Sequence, residues 1–228
     1  MMNMMRSIQL PVKFLLLLTF VGCYTVRAAS AAEAPFEKEI VAFEVADQKA
    51  MPPQNAVLFI GSSSIRMWKT LDADFMGIAV INRGFGGSKI ADSMHYADRI
   101  VIPYHPRKIV MYAGDNDIAA GGTPQQVLED FQAFVSKVRE KMPDVPISYI
   151  SIKPSLKRWK LVDQIKAANA LIEKFATEGK NLEYIDVFTP MLGSDGKPRA
   201  ELFRPDGLHM VAKGYELWTS IIAPKLKN

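Results

Sequence analysis

With 228 residues, 49% hydrophobic and 23% charged side chains, the chain has the make-up of an ordinary globular protein with one core, which excludes wholesale disorder and an integral membrane bundle. Its single cysteine, Cys23, excludes a disulfide framework or a cysteine-built metal site in the folded part. The net charge of +4 falls to +1 once Arg6, Lys13 and Arg27 of the acid-free first 31 residues are set aside, too little to form a footprint for a nucleic-acid backbone.

Those first residues read as a secretory leader. Arg6 and Lys13 precede the apolar run FLLLLTFVG, and Ala29-Ser30-Ala31 closes the stretch with small residues. The run is too short for a permanent membrane span. Residues 1–31 are therefore expected to be removed, leaving 32–228 as one exported domain, periplasmic or secreted. Phe20-Val21-Gly22-Cys23 also has the look of a lipoprotein signal, so a membrane partner is expected only if Cys23 is lipidated.

Phe36 to Gln48 reads as a helix lying on the domain. From Ala56 onward, short branched apolar runs alternate with longer amphipathic stretches. The predicted strands are Ala56–Ile60, Ile78–Ile81, Lys108–Tyr112, Ile147–Ile152 and Leu182–Val187, mostly apolar on both faces, as parallel strands covered by helices on two sides are. Thr123-Pro124 opens a helix whose Val127, Phe131, Phe134, Val135 and Val138 form one stripe. Leu161–Ala176 repeats the pattern, and Gly214–Lys227 closes the chain. Strand and helix in this alternation predict an α/β fold: a three-layer α/β/α sandwich, flavodoxin-like, around a five-stranded, mostly parallel sheet.

Ligands of open α/β sheets bind at the carboxyl ends of the strands, so the loops there carry the chemistry. After the first strand stands Gly61-Ser62-Ser63-Ser64-Ile65, in which the serines serve equally well as helix caps. After the second stands Asn82-Arg83-Gly84-Phe85-Gly86-Gly87-Ser88-Lys89. It misses the dinucleotide pattern at Lys89 and the phosphate-loop pattern at Ser88, but its glycines leave backbone N–H groups free to point into a site. After the third stands Gly114-Asp115-Asn116-Asp117. Near the end, Asp206-Gly207-Leu208-His209 sets a carboxylate three residues before an imidazole. His209 alone of the three histidines has an acid in such register; His95 and His105 read as surface or core residues.

In this order and spacing, GSSSI, NRGFGG, GDND and DGLH resemble the four blocks of the SGNH, or GDSL-like, serine hydrolases. The resemblance runs from about Val57 to His209. It implies the corresponding fold and a Ser-His-Asp triad of Ser63, His209 and Asp206, with Ser64 the alternative nucleophile. It also implies an oxyanion hole formed by the backbone N–H of Ser63, the backbone N–H of Gly87 and the side-chain amide of Asn116. Ser62 and Ser88 depart from the family by standing where Asp is common.

In such a triad the imidazole, titrating near about 6.5, accepts the hydroxyl proton during attack. The carboxylate fixes the ring's tautomer. No cofactor or metal is required. The expected substrates are small-molecule, glycan or lipid esters. Trp68, Phe85, Tyr96, Lys153, Ser155, Arg158 and Trp159 are the candidates for shaping a pocket, and Lys153 and Arg158 point to an anionic or polyhydroxyl substrate. A small-acyl or carbohydrate esterase, a lysophospholipase, and a non-catalytic glycan-binding protein all remain open at this point.

Overall fold

A computed structural model describes residues 34–226; the expected leader of residues 1–31, with Cys23, lies outside the described residues. Five strands, β1 (Val57–Gly61), β2 (Val80–Gly84), β3 (Lys108–Tyr112), β4 (Ile147–Ile150) and β5 (Leu182–Ile185), form one sheet. Their order is β2-β1-β3-β4-β5, and every neighbouring pair is parallel.

The helices are α1 (Glu37–Lys49), α2 (Ser63–Arg66), α3 (Leu71–Asp74), α4 (Ile90–His95), α5 (Ala97–Ile100), α6 (Asp115–Ala119), α7 (Pro124–Arg139), α8 (Val162–Glu178) and α9 (Ala212–Ile222). Among the described residues none is long and apolar enough to cross a membrane.

Alternation along the strands builds two cores. Leu58 and Ile60 of β1, with Ile109 and Met111 of β3, face one side, where Ile40, Ile90, Ile100, Phe131, Phe134 and Ile172 cover them. Val57, Phe59, Val110 and Tyr112 face the other, against Ile65, Trp68, Leu71, Trp218 and Ile222. Each such fully buried side chain contributes about 1.5–3 kcal/mol. Helix α7 starts where Thr123 predicts: its hydroxyl accepts from Gln126 N at 3.2 Å, and Gln126 Oε1 accepts from Thr123 N at 2.8 Å.

The second strand differs from its expected span. It runs 80–84 rather than 78–81 because the polar Asn82 and Arg83 are paired in register with Phe59 and Ile60. Arg83 is tolerated there because its guanidinium reaches Asp47 of α1 at 2.6 Å and donates to the Tyr104 hydroxyl at 2.9 Å. Both partners are remote in sequence. The short helices α3, α4 and α5 carry too few residues to show a period.

The order 2-1-3-4-5 reverses direction at β1, so its carboxyl end beside that of β3 is the topological switch point where doubly wound sheets bind ligands. Ser63 follows β1 and Asn116 follows β3.

Candidate active site

The turn after β1 is tight because it must be. Gly61 has φ +133°, and a Cβ there would lie 1.8 Å from the Tyr112 carbonyl oxygen, so only glycine lets β1 end against β3. Ser62 N donates to that carbonyl at 2.9 Å, and Ile65 N and Arg66 N donate back to Ser62 O. Ser62 stands where the resembled family commonly has Asp, and its hydroxyl is buried with no partner among the described residues. Bracing comes from elsewhere: Asn82 Nδ2 donates to Ile65 O at 2.8 Å, and the Tyr215 hydroxyl donates to Ser64 O at 3.0 Å.

Of the serines, Ser62 and Ser64 are buried, while Ser63 is half-buried at the surface. His209 Nε2 lies 3.2 Å from Ser63 Oγ. Helix α2, beginning at Ser63, is only four residues long, so its dipole is that of a single turn.

His209 arrives on a closed loop. Phe203 and Met210 form an antiparallel bridge, Arg204 N donates to His209 O at 2.7 Å, and Gly207 N donates to Arg204 O at 2.9 Å. Asp206 completes the loop from within. Its Oδ2 lies 2.6 Å from His209 Nδ1, and its Oδ1 accepts from both Leu208 N and His209 N at 2.9 Å. The hydrogen bond from His209, followed by the two backbone donors, holds the Asp206 carboxyl well below the usual carboxylate range. Half of the site therefore depends on a few local hydrogen bonds rather than on distant packing.

Gly87 has φ +82° and an exposed backbone, and a Cβ there would meet nothing within 4 Å. Neither Gly87 N nor Ser63 N has a hydrogen-bond partner among the described residues. Ser88, in place of the family's Asp, closes the glycine turn by donating to Phe85 O at 2.9 Å. Asn116 Nδ2 donates to Ser88 O at 3.0 Å, which ties the loops after β2 and β3 together. Its neighbour Asp117 accepts from Ile90 N at 3.2 Å, and burial pushes its carboxyl up to about 6.

The predicted pocket residues fare differently. Trp68 and Phe85 belong to the two cores, 1% and 0% exposed: Trp68 packs against Phe59, Phe75, Tyr215 and Trp218, and Phe85 against Phe36 and Tyr96. Tyr96 and Ser155 are buried as well. Each of these aromatics is packing under its motif rather than the lining of a pocket. Lys153 is also buried, its ammonium 3.0 Å from the Tyr112 hydroxyl and 3.5 Å from Asp115 Oδ2. Burial pushes its pKa down, opposed by Asp115.

Arg158 Nη1 reaches the same Asp115 oxygen at 2.8 Å, and its Nη2 donates to Asn116 Oδ1 at 2.8 Å. Both cations expected to meet an anionic substrate are thus engaged with Asp115. Asp115 is not among the site residues expected from the sequence; its one signal there is a carboxylate directly before Asn116, in the turn that leaves β3. Trp159, half-buried in the following turn, is the predicted pocket aromatic that retains exposure. His95 and His105 are exposed, as the surface reading expected.

The family model described as "GDSL-like Lipase/Acylhydrolase family" matches residues 61–217. No curated protein matches the chain. Among solved structures, a candidate platelet activating factor from Streptococcus pneumonia is similar at 22% identity and TM-score 0.74, over 83% of this chain and 92% of that one. A GDSL-like lipase from Bacteroides thetaiotaomicron shares 19% identity at TM-score 0.72, over 82% and 97% of the two chains. An acetyl esterase mutant with an acetate ion shares 16% at 0.61, over 75% and 95%. At these identities the likeness speaks to the fold.

Proposed function

Because the chain belongs to the GDSL-like lipase/acylhydrolase family, we propose that it is an exported serine esterase, cleaving small acyl or carbohydrate esters through Ser63, His209 and Asp206. The observation that carries this reading is the unbroken relay from Asp206 Oδ2 through the His209 ring to Ser63 Oγ. Ser63 Oγ attacks the ester carbonyl while His209 Nε2 accepts its proton, and Asp206 stabilises the imidazolium without taking a proton itself. The negative charge that develops on the carbonyl oxygen meets Ser63 N–H, Gly87 N–H and the Asn116 amide, which stabilise it more than they stabilise the neutral ester.

Collapse breaks the carbonyl-carbon to alkoxy-oxygen bond, and the imidazolium protonates the leaving alcohol. Water, deprotonated in turn by His209, then releases the acid and restores Ser63.

Exposure at the triad supports a small acyl group: the Asp206 and His209 side chains are 40% and 27% exposed rather than sunk in a tunnel. Leu156, 43% exposed and packed against Gly207 beside His209, favours a second reading as a lysophospholipase or lipid esterase. Export rests on the leader pattern of residues 1–31, and N-terminal sequencing of the secreted protein tests it.

Hydrolysis of p-nitrophenyl esters of increasing chain length, with Ser63→Ala as the background, tests the activity. Turnover highest on acetate and lost in the variant supports the proposal. A maximum at long chains supports the lipid reading, and absence of turnover on all of them moves the assignment to a glycan-binding protein.

A further inference from the structure

An asparagine amide serves an oxyanion only if its N–H, and not its carbonyl, faces the reacting oxygen. Two contacts fix that choice for Asn116. Nδ2 donates to Ser88 O, and Oδ1 accepts from Arg158 Nη2. Rotating the amide by half a turn would set oxygen against oxygen at Ser88 and donor against donor at Arg158. In the observed orientation one Nδ2 hydrogen is taken by Ser88 O, and the second is left to donate.

Arg158 is itself held. Its Nη1 lies 2.8 Å from Asp115 Oδ2 as an ion pair without hydrogen-bond alignment; the same carboxylate faces Lys153, and Lys153 donates to the hydroxyl of Tyr112, the last residue of β3. Anchorage therefore runs from the strand end that carries Asn116, through three buried side chains, back to the Asn116 carbonyl. The Arg158 side chain is only 17% exposed. A cation in such a setting polarises the amide it donates to, making the opposite N–H a stronger donor. The same loop touches the triad from the other side, since Lys157 N donates to Gly207 O at 3.0 Å.

From this geometry we infer that Arg158 is a positioning residue for catalysis: acting through Asn116, it orients and polarises the oxyanion-binding amide. The inference rests on the esterase reading above and goes beyond it, because Arg158 lies outside the four loop motifs and acts on no reacting atom.

The test is a double-mutant cycle of Arg158→Met and Asn116→Ala, with kcat and KM measured on p-nitrophenyl acetate and Ser63→Ala as background. Asn116→Ala is expected to lower kcat about 100- to 1000-fold. Arg158→Met alone is expected to lower kcat about 10- to 50-fold, with KM changed less than about twofold, and to cost less than about twofold when Asn116 is already Ala. Equal losses in both backgrounds, or a rise in KM with kcat unchanged, would overturn the inference. Should Arg158→Met fail to fold, Arg158→Lys keeps a charge against Asp115 while misplacing the donor, and the cycle is read on it in the same way. A parent enzyme without Ser63-dependent turnover would overturn the esterase reading together with this one. An active parent with parental kcat in the Arg158 variants would overturn this one alone.

Discussion

Replacing Asp206 by Asn removes one negative charge and should damage catalysis far more than its size implies. Asp206 Oδ1 accepts from the backbone N–H groups of Leu208 and His209, both at 2.9 Å, so an Asn at this position must keep its carbonyl oxygen there. Its NH2 is then forced into the place of Oδ2, 2.6 Å from His209 Nδ1. Two donors cannot face each other, so Nδ1 becomes the acceptor and the ring proton moves to Nε2, the atom that must receive the proton of Ser63. The variant therefore holds the wrong tautomer in an otherwise intact loop.

A loss of about 10,000-fold in kcat is expected, equivalent to about 5 kcal/mol of transition-state stabilisation. Initial rates on p-nitrophenyl acetate at neutral pH, corrected with Ser63→Ala, measure it. A loss below about tenfold would refute the role assigned to Asp206.

Two further outcomes follow from buried polar groups. Folding raises the Asp117 carboxyl to about 6, above its ordinary value near 4 in the unfolded chain, so the folded state binds the proton more tightly. The stability this group contributes is complete below about pH 4 and is lost as pH rises towards about 6 and beyond, so Asp117→Asn should gain up to about 3 kcal/mol relative to the parent between those limits. Urea denaturation of both proteins at pH 4 and pH 7 checks this, and a difference independent of pH contradicts it. Ser62→Ala, which removes a buried hydroxyl without a partner, should leave stability unchanged or raise it by up to about 1 kcal/mol, read from thermal unfolding. A loss above about 2 kcal/mol would mean that Ser62 braces the nucleophile turn after all.

The sequence was most informative where chemistry is local. Asp206 and His209 share one short loop, and Ser63, Gly87 and Asn116 each come after an apolar run that reads as a strand, so their placement at the carboxyl ends of β1, β2 and β3 is legible without coordinates. Contacts between distant residues were not. Nothing near Arg83 announces Asp47, so the second strand was expected two residues early. Nothing near Arg158 announces Asp115, so a guanidinium that orients Asn116 was expected to greet substrate. Trp68 and Phe85 failed for a related reason: an aromatic side chain beside a motif has the same sequence signature whether it points to the ligand or into the core, and here tertiary packing decides.

In the proposed mechanism His209 activates Ser63 and neither of its serine neighbours. Reaction with a fluorophosphonate, followed by peptide mass spectrometry with fragment ions resolving Ser62, Ser63 and Ser64, tests it directly. A single adduct on Ser63 is expected, formed at least about 100-fold more slowly in His209→Ala. An adduct on Ser64, or labelling of Ser63 at the same rate without His209, would contradict it.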